Sequence, residues 1–394
     1  MSKYHAIISG FPMLEVMVRE CKRLLARPVY LCTLVFAPIF AFIFFTTLMR
    51  NGLPTEIPAG IVDEDNSAVT RKLVRTLDAF QMTKLKHFPN VIEARNEMQR
   101  SKIHAFYVIP RYTTQKALSS RQPNLSFYTN ATFLIPASLE FRDMKMMSEL
   151  AAGGIGRETL YAKGYTEKQA MGILQPIKIE MHPIGNPLLN YSVYLCNILL
   201  PGVLFLLIMQ TTIYAIYVEM KEETSKEWLA VAKGNIHKAL LGKLLPYIAV
   251  NIVIGLFAIV LLYGVWDFPL NCNIWSMILA MLLLILAAQS FGVFLCGLVP
   301  SIRWALSLAT LFGVLSFPIS GFSFPLHAFP AAFKGLANIF PMRHYFLIYV
   351  DQALNGLPMY YSWANFAALI AFQILPLLLI HRLHKFLLTA KYTH

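Results

Sequence analysis

Apolar residues form one long uncharged run near the start of the chain and five more such runs in its second half. A helix needs roughly 20 apolar residues to cross the hydrocarbon of a bilayer, so each run predicts a membrane-spanning helix. The first run is too long for a cleavable signal peptide, and no small-residue cleavage site follows it. We therefore expect an α-helical membrane protein with six transmembrane helices. The predicted spans are 29–49, 192–218, 244–265, 274–299, 304–324 and 364–380.

The residues between the first two spans, 50–191, alternate strand and helix patterns instead of continuing the apolar runs. Short apolar stretches bounded by turn residues or proline predict strands, and apolar residues at helical spacing predict helices between them. Such alternation is typical of an α/β domain with a partly parallel sheet. The predicted strands are 57–62, 103–109 and 125–128. The predicted helices follow Ser67 and Pro89 and cover 133–162, the last with an interruption at Gly153 and Gly154.

The placement of basic residues orients the chain. The net charge is +13, while 57% of the residues are hydrophobic and 14% are charged. The positive-inside rule then predicts that both termini are cytoplasmic, that 381–394 is a cytoplasmic tail and that the inserted domain is extracytoplasmic. The excess of basic over acidic residues therefore indicates membrane topology and not nucleic-acid binding. The basic residues of the predicted cytoplasmic side are Lys3, Arg19, Lys22, Arg23, Arg27, Lys221, Lys226, Lys233, Lys238, Lys243, Arg303, Arg382, Lys385 and Lys391.

Three segments outside the spans have distinctive patterns. Within the cytoplasmic N-terminus, 1–28, apolar residues of 14–25 repeat at helical spacing and predict an amphipathic helix that lies in the membrane surface. The charged segment 221–232 predicts a short cytoplasmic helix flanked by turns. Prolines divide 325–345 into pieces too short to cross the bilayer, which predicts an outer re-entrant or surface segment. None of the five cysteines lies in the inserted domain, so that domain is expected to be stable without disulfides.

Motifs that would indicate catalysis are absent from the sequence. It contains no G-x-x-x-x-G-K-[ST] phosphate loop and no H-E-x-x-H zinc motif. The pair Asp63 and Asp65 resembles the metal-binding pair of some glycosyltransferases, but a turn at the end of a strand explains it better. His381 and His384 have a metal-ligand spacing, although a basic helix end at the membrane interface explains them better. We predict no catalytic residue, no metal and no cofactor in this chain.

Polar residues within the predicted spans leave two interpretations open. They line a transport path, or they form interhelical hydrogen bonds that pack the bundle. No Asp, Glu, Lys or Arg lies within the predicted bounds, which argues against a proton-coupled antiporter. The candidate pathway residues are Asn197, Gln210, Thr211, Asn251 and Gln289.

Several separated segments resemble the permease subunits of ABC-2 type transporters, and specifically the bacterial export permeases with a large extracytoplasmic domain after the first span. The likeness covers nearly the whole chain. The most specific match is the Gly, Phe-Pro, Pro, Pro and Tyr pattern of 320–330 and 340–345. Thr224-Ser225 departs from the Gly-Thr that is usual in the family. The other matching segments are 61–67, 222–229 and 241–246.

The resemblance implies a multi-pass subunit of the bacterial inner membrane that exports amphipathic or lipid-like small molecules, drugs among the candidates. It implies that a separate ABC ATPase subunit binds ATP and magnesium, and that a second permease copy or a paralogue completes the pathway. Further implied partners are membrane lipid, a periplasmic membrane-fusion protein and an outer-membrane channel. The implied coupling residues are Glu223, Thr224, Glu227, Trp228, Gly242 and Lys243, and the implied outer gate is Pro325, Pro330, Pro341 and Arg343.

Two other classes of protein are compatible with parts of the pattern. A membrane-anchored sensor would carry a ligand-binding domain outside the membrane, but it normally needs a larger cytoplasmic output domain than these termini provide. A membrane glycosyltransferase would use Asp63 and Asp65. We rank both below the permease.

Overall fold

The computed structural model describes residues 12–119, 121–177, 180, 182, 184–187 and 190–389. Two compact units result: the inserted unit is Asn51–His182, and the helical unit consists of the described residues on either side of it. Lys3 and Lys391, which we used to predict topology, lie outside the described residues. In chain order the helices are α1 Pro12–Ala26, α2 Pro28–Leu48, α3 Ala68–Asp78, α4 Val91–Gln99, α5 Thr113–Leu118, α6 Leu134–Ala162, α7 Glu167–Leu174, α8 Tyr191–Lys221, α9 Ser225–Val231, α10 Ile236–Val265, α11 Ile274–Leu298, α12 Ile302–Ile319, α13 Ala331–Ala337, α14 Pro341–Tyr349 and α15 Met359–Thr389.

Six of these helices, α2, α8, α10, α11, α12 and α15, are long and apolar enough to cross a membrane, which is the predicted number. The bounds differ: α12 ends at Ile319, five residues before the predicted end of its span, whereas several other helices are longer than the apolar runs that predicted them. Helix α8 continues to Lys221 and α10 begins at Ile236, so Glu219 and Lys243 lie inside continuous helices. The predicted bounds had left both charges outside the spans, because an apolar run ends where charge begins whereas a helix continues until its backbone is capped.

Small residues let the most enclosed spans approach one another closely. A Cβ atom on Gly292 of α11 would lie 3.1 Å from Cβ of Thr212 of α8, so the absence of a side chain allows these backbones to come together. Helices α8 and α11 are the most enclosed spans of the unit. They form the centre against which the other spans pack.

The inserted unit contains a four-stranded sheet in the order β2-β1-β3-β4, with β1 Ile57–Asp63, β2 Thr83–His87, β3 Ala105–Ile109 and β4 Ser126–Thr129. Strand β1 runs parallel to β2 and β3, whereas β4 is antiparallel to β3. Helices α3 and α6 pack on one face, and α4 packs on the other. The predicted partly parallel α/β sheet is therefore confirmed.

In the inserted unit one strand was missed and one local prediction is wrong. The pattern did not predict β2, because its sequence Thr-Lys-Leu-Lys-His carries charge at alternate positions and is stabilised by pairing with β1. Helix α6 continues through Gly153 and Gly154 without the predicted interruption. Two glycines lower helix propensity by only about 1 kcal/mol each, which a helix of this length packed on a sheet tolerates.

Candidate functional site

Four elements of the helical unit meet at one place: α1, the end of α8, the short helix α9 and the start of α10. Each brings charged or polar side chains to the contact. We call the group formed by Arg19, Glu20, Arg23, Arg27, Glu219, Glu222 and Lys243 the charge cluster. It is the strongest concentration of buried charge in the described part of the helical unit.

Lys243 is the centre of the charge cluster and is fully buried. Its Nζ donates to Oε2 of Glu20 and to Oε1 of Glu219, at 2.7 Å each. The second Glu20 oxygen accepts a hydrogen bond from the Tyr247 hydroxyl at 2.8 Å. The ammonium group of α10 therefore joins a carboxylate of α1 to a carboxylate of α8.

Three arginines complete the charge cluster: Arg19 and Arg23 of α1, and Arg27, which directly follows that helix. Arg19 forms a bidentate pair with Glu219, with N–O distances of 3.0 and 2.9 Å. Arg23 donates to Glu219 as well and to Glu222 at 2.7 Å, and Arg27 pairs with Glu222 at 2.5 Å. The hydrogen bond from Arg27 is the largest reason why the pKa of Glu222 lies below its usual value. Bidentate Arg–carboxylate pairs fix geometry as well as charge.

Three groups of the charge cluster, Glu20, Glu219 and Lys243, are buried. Removal of one partner from a buried ion pair typically costs about 3–5 kcal/mol, because the remaining charge is left without compensation. Each of α1, α8 and α10 carries a charged group whose partner lies on another of these helices. Helices α1, α8 and α10 are therefore expected to move as one body at this end.

Helix α9 is held between two turns with left-handed backbone. Glu223, with φ of 58°, precedes it, and Lys233 and Gly234, with φ of 55° and 75°, follow it. Left-handed conformations are uncommon for residues other than glycine, so backbone hydrogen bonds must hold these turns. Thr224 N donates to Glu219 O at 2.9 Å, and Gly234 N donates to Leu229 O at 2.8 Å.

The two faces of α9 have different environments. Trp228 is fully buried, and Nζ of Lys243 lies 5.1 Å from the centre of its ring, a cation–π distance. Lys226, Glu227 and Ala230 are exposed on the opposite face. The face with Glu227 is therefore the accessible one, and the face with Trp228 packs against the charge cluster.

The predicted coupling residues thus divide into a surface pair and an interior set. Glu223 and Glu227 are exposed, whereas Trp228, Gly242 and Lys243 are buried. The Thr224 hydroxyl donates to the Glu219 carboxylate, which ties α9 to α8 directly. The role of all these residues in coupling stays a prediction.

Gly242 lies where α1 crosses α10. A Cβ atom on this residue would lie 2.5 Å from the carbonyl oxygen of Met13 and 2.9 Å from Cβ of Val16. Since a backbone oxygen cannot move aside as a side chain does, glycine is what allows α1 to pack this closely on α10.

Sequence reasoning missed the inward direction of the polar face of α1. The amphipathic pattern predicted a helix in the membrane surface and no partner for its charges, but Glu20 is buried and Arg19 and Arg23 both reach Glu219 of α8. The apolar residues of α1 are divided, because Val16 is buried and Leu24 packs against the bundle, whereas Leu25 is 89% exposed. The only sequence signal was the charge of Glu219 at the end of an apolar run, and that charge alone does not identify its partners.

The predicted outer-gate residues lie between α12 and α15. Pro330 precedes α13, Pro341 is the first residue of α14, and Pro325 precedes a single 3-10 turn. The Arg343 guanidinium donates to the Ser320 carbonyl at 3.3 Å and to the Asn338 side chain at 3.2 Å. The prolines thus bound short pieces, and Arg343 links two of them to the end of α12.

The candidate pathway residues are mostly packed inside the bundle. Asn197, Thr211, Asn251 and Gln289 are buried, whereas Gln210 is half-buried and donates to Thr310 of α12 at 3.1 Å. Thr211 bonds to a carbonyl of its own helix, and Gln289 bonds to Leu244 O of α10. Their contacts fit interhelical packing, and a role in a pathway stays a prediction.

The pairs considered for metal or transferase chemistry have structural contacts. Asp63 accepts hydrogen bonds from the backbone N–H groups of Asp65 and Asn66, and Asp65 accepts from the Thr114 hydroxyl at 2.6 Å. Both carboxylates therefore stabilise the turn after β1. Within the described residues, no group of three or more His, Cys, Asp or Glu side chains is placed to hold a metal ion.

A comparison with protein families agrees with this arrangement. Residues 28–381 match the family described as "ABC-2 family transporter protein". The match covers every described helix from α2 to α14 and most of α15. No curated protein matches the chain.

Proposed function

The chain belongs to the ABC-2 transporter family, and from this premise we propose that it is the membrane permease subunit of an ATP-driven exporter. Members of this family are membrane components of transporters and generally work with an ABC ATPase. The sequence has no phosphate loop of its own. Energy for transport would therefore enter through contact with a separate ATPase subunit that binds ATP and magnesium.

The observation that carries this proposal is the connection of exposed helix α9 to the buried charge cluster. A protein that presses on Glu227 moves α9, whose Trp228 packs against Lys243. Lys243 in turn holds Glu20 and Glu219 at 2.7 Å each. Displacement of a seven-residue helix would thereby reach three long elements at once. A rigid lever of this kind is what a permease driven from outside itself requires.

The opposite end of the pathway is proposed to open at the segment 325–345. Short pieces bounded by Pro325, Pro330 and Pro341 can shift as units, since proline interrupts helical hydrogen bonding at each boundary. Arg343 would hold the closed arrangement through Ser320 and Asn338.

We place both termini in the cytoplasm of a bacterial inner membrane and the inserted unit outside it, on the distribution of basic residues. The cargo would be an amphipathic or lipid-like small molecule, drugs included. A second permease copy or a paralogue would complete the pathway. A periplasmic membrane-fusion protein and an outer-membrane channel would extend it across a second membrane.

Co-purification with an ABC ATPase subunit tests the proposal, and Glu227→Lys tests the site. We expect the charge reversal to abolish permease-dependent ATPase activity and export without a change in the thermal unfolding midpoint, because Glu227 is exposed. The matched control is Glu149→Lys, the same change at an exposed position of α6. Full activity of Glu227→Lys would contradict the assignment of the contact face, and failure to recover any ATPase subunit would contradict the proposed function.

The transferase alternative receives no support from the inserted unit, where Asp63 and Asp65 are engaged in the turn after β1. Sugar transfer by the purified chain without an ATPase would nevertheless favour it. Ligand-induced signalling without transport would favour the sensor.

A further inference from the structure

The inserted unit contains a cavity of about 810 Å³ that no part of the proposed transport mechanism uses. It lies among α3, α5, α6 and α7, and residues 121–125 contribute to its lining. Pockets that bind small molecules typically have volumes of about 300–1,000 Å³. The cavity is therefore large enough to take up a molecule of drug or short-chain lipid size.

The walls of the cavity are mostly apolar. Val69 and Leu73 of α3 face Ile155 and Leu160 of α6, and Ile173 and Leu174 of α7 complete the lining. Ile173 is 53% exposed, so this apolar surface is not filled by the protein's own side chains. Burial of such surface by a ligand is favourable by about 25 cal/mol per Å².

Polar groups also contribute to the lining, and they include hydroxyl groups of α3, α5 and α6: Thr70, Thr113, Thr114, Ser148 and Thr159. Arg121, Gln122 and Asn124 lie in the loop after α5, and among the described residues that line the cavity Arg121 alone carries a charge. Its guanidinium supplies charge-assisted donors, and the two amides supply neutral donors. A ligand that fits the apolar walls and Arg121 has an apolar body and one anionic head.

The walls are fixed in position by close contacts. A Cβ atom on Gly156 would lie 2.5 Å from Cδ2 of Leu174, so α7 packs directly on α6. Asp65 accepts from the backbone N–H of Thr114 at 3.2 Å and from its hydroxyl at 2.6 Å, which anchors α5 to the turn after β1. A cavity with fixed walls requires little reorganisation when it binds a ligand.

We propose that this cavity is a binding site for a small monoanionic amphiphile, with its apolar body between α3, α6 and α7 and its head at Arg121. The site requires no ATPase and no transport. The inserted unit would then sense or hold an amphiphile.

The test uses the full-length protein in lipid nanodiscs and a laurate analogue that carries a diazirine in its tail. Photolabelled residues are mapped by peptide mass spectrometry, with unlabelled laurate as competitor. A dodecyltrimethylammonium analogue with the same tail and diazirine measures the contribution of head charge. We expect saturable labelling of α3, α6 and α7 by the anionic probe and much weaker labelling by the cationic one.

Three variants separate the cavity from general partition into lipid. Ala152→Trp fills the cavity from α6 and should abolish saturable labelling of its walls. Gly153→Trp is the matched control, because a side chain at Gly153 meets nothing within 4 Å and this residue does not line the cavity. Arg121→Gln should weaken anionic binding about tenfold, the loss expected for one charge-assisted hydrogen bond, and leave cationic labelling unchanged.

Equal labelling of the cavity walls in wild type, Ala152→Trp and Gly153→Trp would overturn the site, and so would labelling confined to the spans. Saturable labelling that is equal for both head groups would overturn the assignment of an anionic ligand. No ATPase is present, so these results are independent of whether the chain exports anything.

Discussion

The ammonium of Lys243 and the carboxylate of Glu219 lie 2.7 Å apart, although both side chains are fully buried and α9 separates them in the chain. Such a pair forms only if α8 and α10 are already aligned. Once formed, it holds them in that alignment, because its separation would leave two charges in an apolar environment.

We expect Lys243→Met to destabilise the helical unit by about 3–5 kcal/mol, since Glu20 and Glu219 both lose their shared cation. The thermal unfolding midpoint of the protein in nanodiscs measures this. Lys238→Met is the control, because Lys238 lies on the same helix and is exposed. Equal midpoints for the two variants would show that the buried pair contributes nothing to stability. Addition of Glu20→Gln to Lys243→Met should recover part of the loss, since one uncompensated carboxylate is then removed.

Gly242→Ala should loosen α1 from α10. The added methyl group would meet the Met13 carbonyl at 2.5 Å, and overpacking of this kind costs about 1–3 kcal/mol. Limited trypsin digestion should then cleave faster at Arg19 and Arg23. Gly264→Ala on α10 is the matched control, since its nearest neighbour would lie 3.8 Å away. Unchanged digestion of Gly242→Ala would contradict the close crossing of the two helices.

The stability of the inserted unit should fall as the pH rises. Glu140 is fully buried on α6, and burial, with a smaller contribution from nearby Asp143, raises the pKa of its carboxyl from 4.5 to about 8. Between these values the folded state keeps a proton that the unfolded chain has lost. The free energy of unfolding should therefore decrease by up to about 1.4 kcal/mol per pH unit.

Glu140→Gln should remove most of this pH dependence and stabilise the inserted unit near pH 8. A smaller slope from Asp143 should remain, because burial raises the pKa of that carboxyl too. Pulse proteolysis, with cleavage sites mapped to the inserted unit, measures the effect. Glu149→Gln at an exposed position of the same helix should leave the slope as it is. If Glu140→Gln has the slope of the wild type, Glu140 is ionised in the folded protein.

Thiol labelling tests the proposed orientation. A variant that retains Cys272 alone should react with a membrane-impermeant maleimide added to intact spheroplasts. A variant that retains Cys21 alone should react only after the membrane is opened, since Cys21 lies on α1 and is exposed. Burial raises the pKa of the Cys272 thiol, so its reaction should accelerate with rising pH. The reverse pattern of access would invert the topology.

Much of the fold follows from local patterns. The apolar runs predicted all six spans, and strand patterns predicted β1, β3 and β4, because each signal is contained within a few consecutive residues. Strand β2 was missed, since it forms by pairing with β1 and not by its own composition.

The candidate coupling residues divide in the same way. Glu227 and Trp228 were predicted from the segment around them, but the exposure of Glu227 and the burial of Trp228 depend on which face of α9 meets the bundle. The sequence by itself determined that the chain spans a membrane and carries an α/β insertion, because hydrophobicity and its period are properties of the chain read in order. Only the tertiary structure decided that Glu20, Glu219 and Lys243 are partners. An ion pair depends on distances in space between side chains that the sequence separates, and those distances are set by the way the helices fold together.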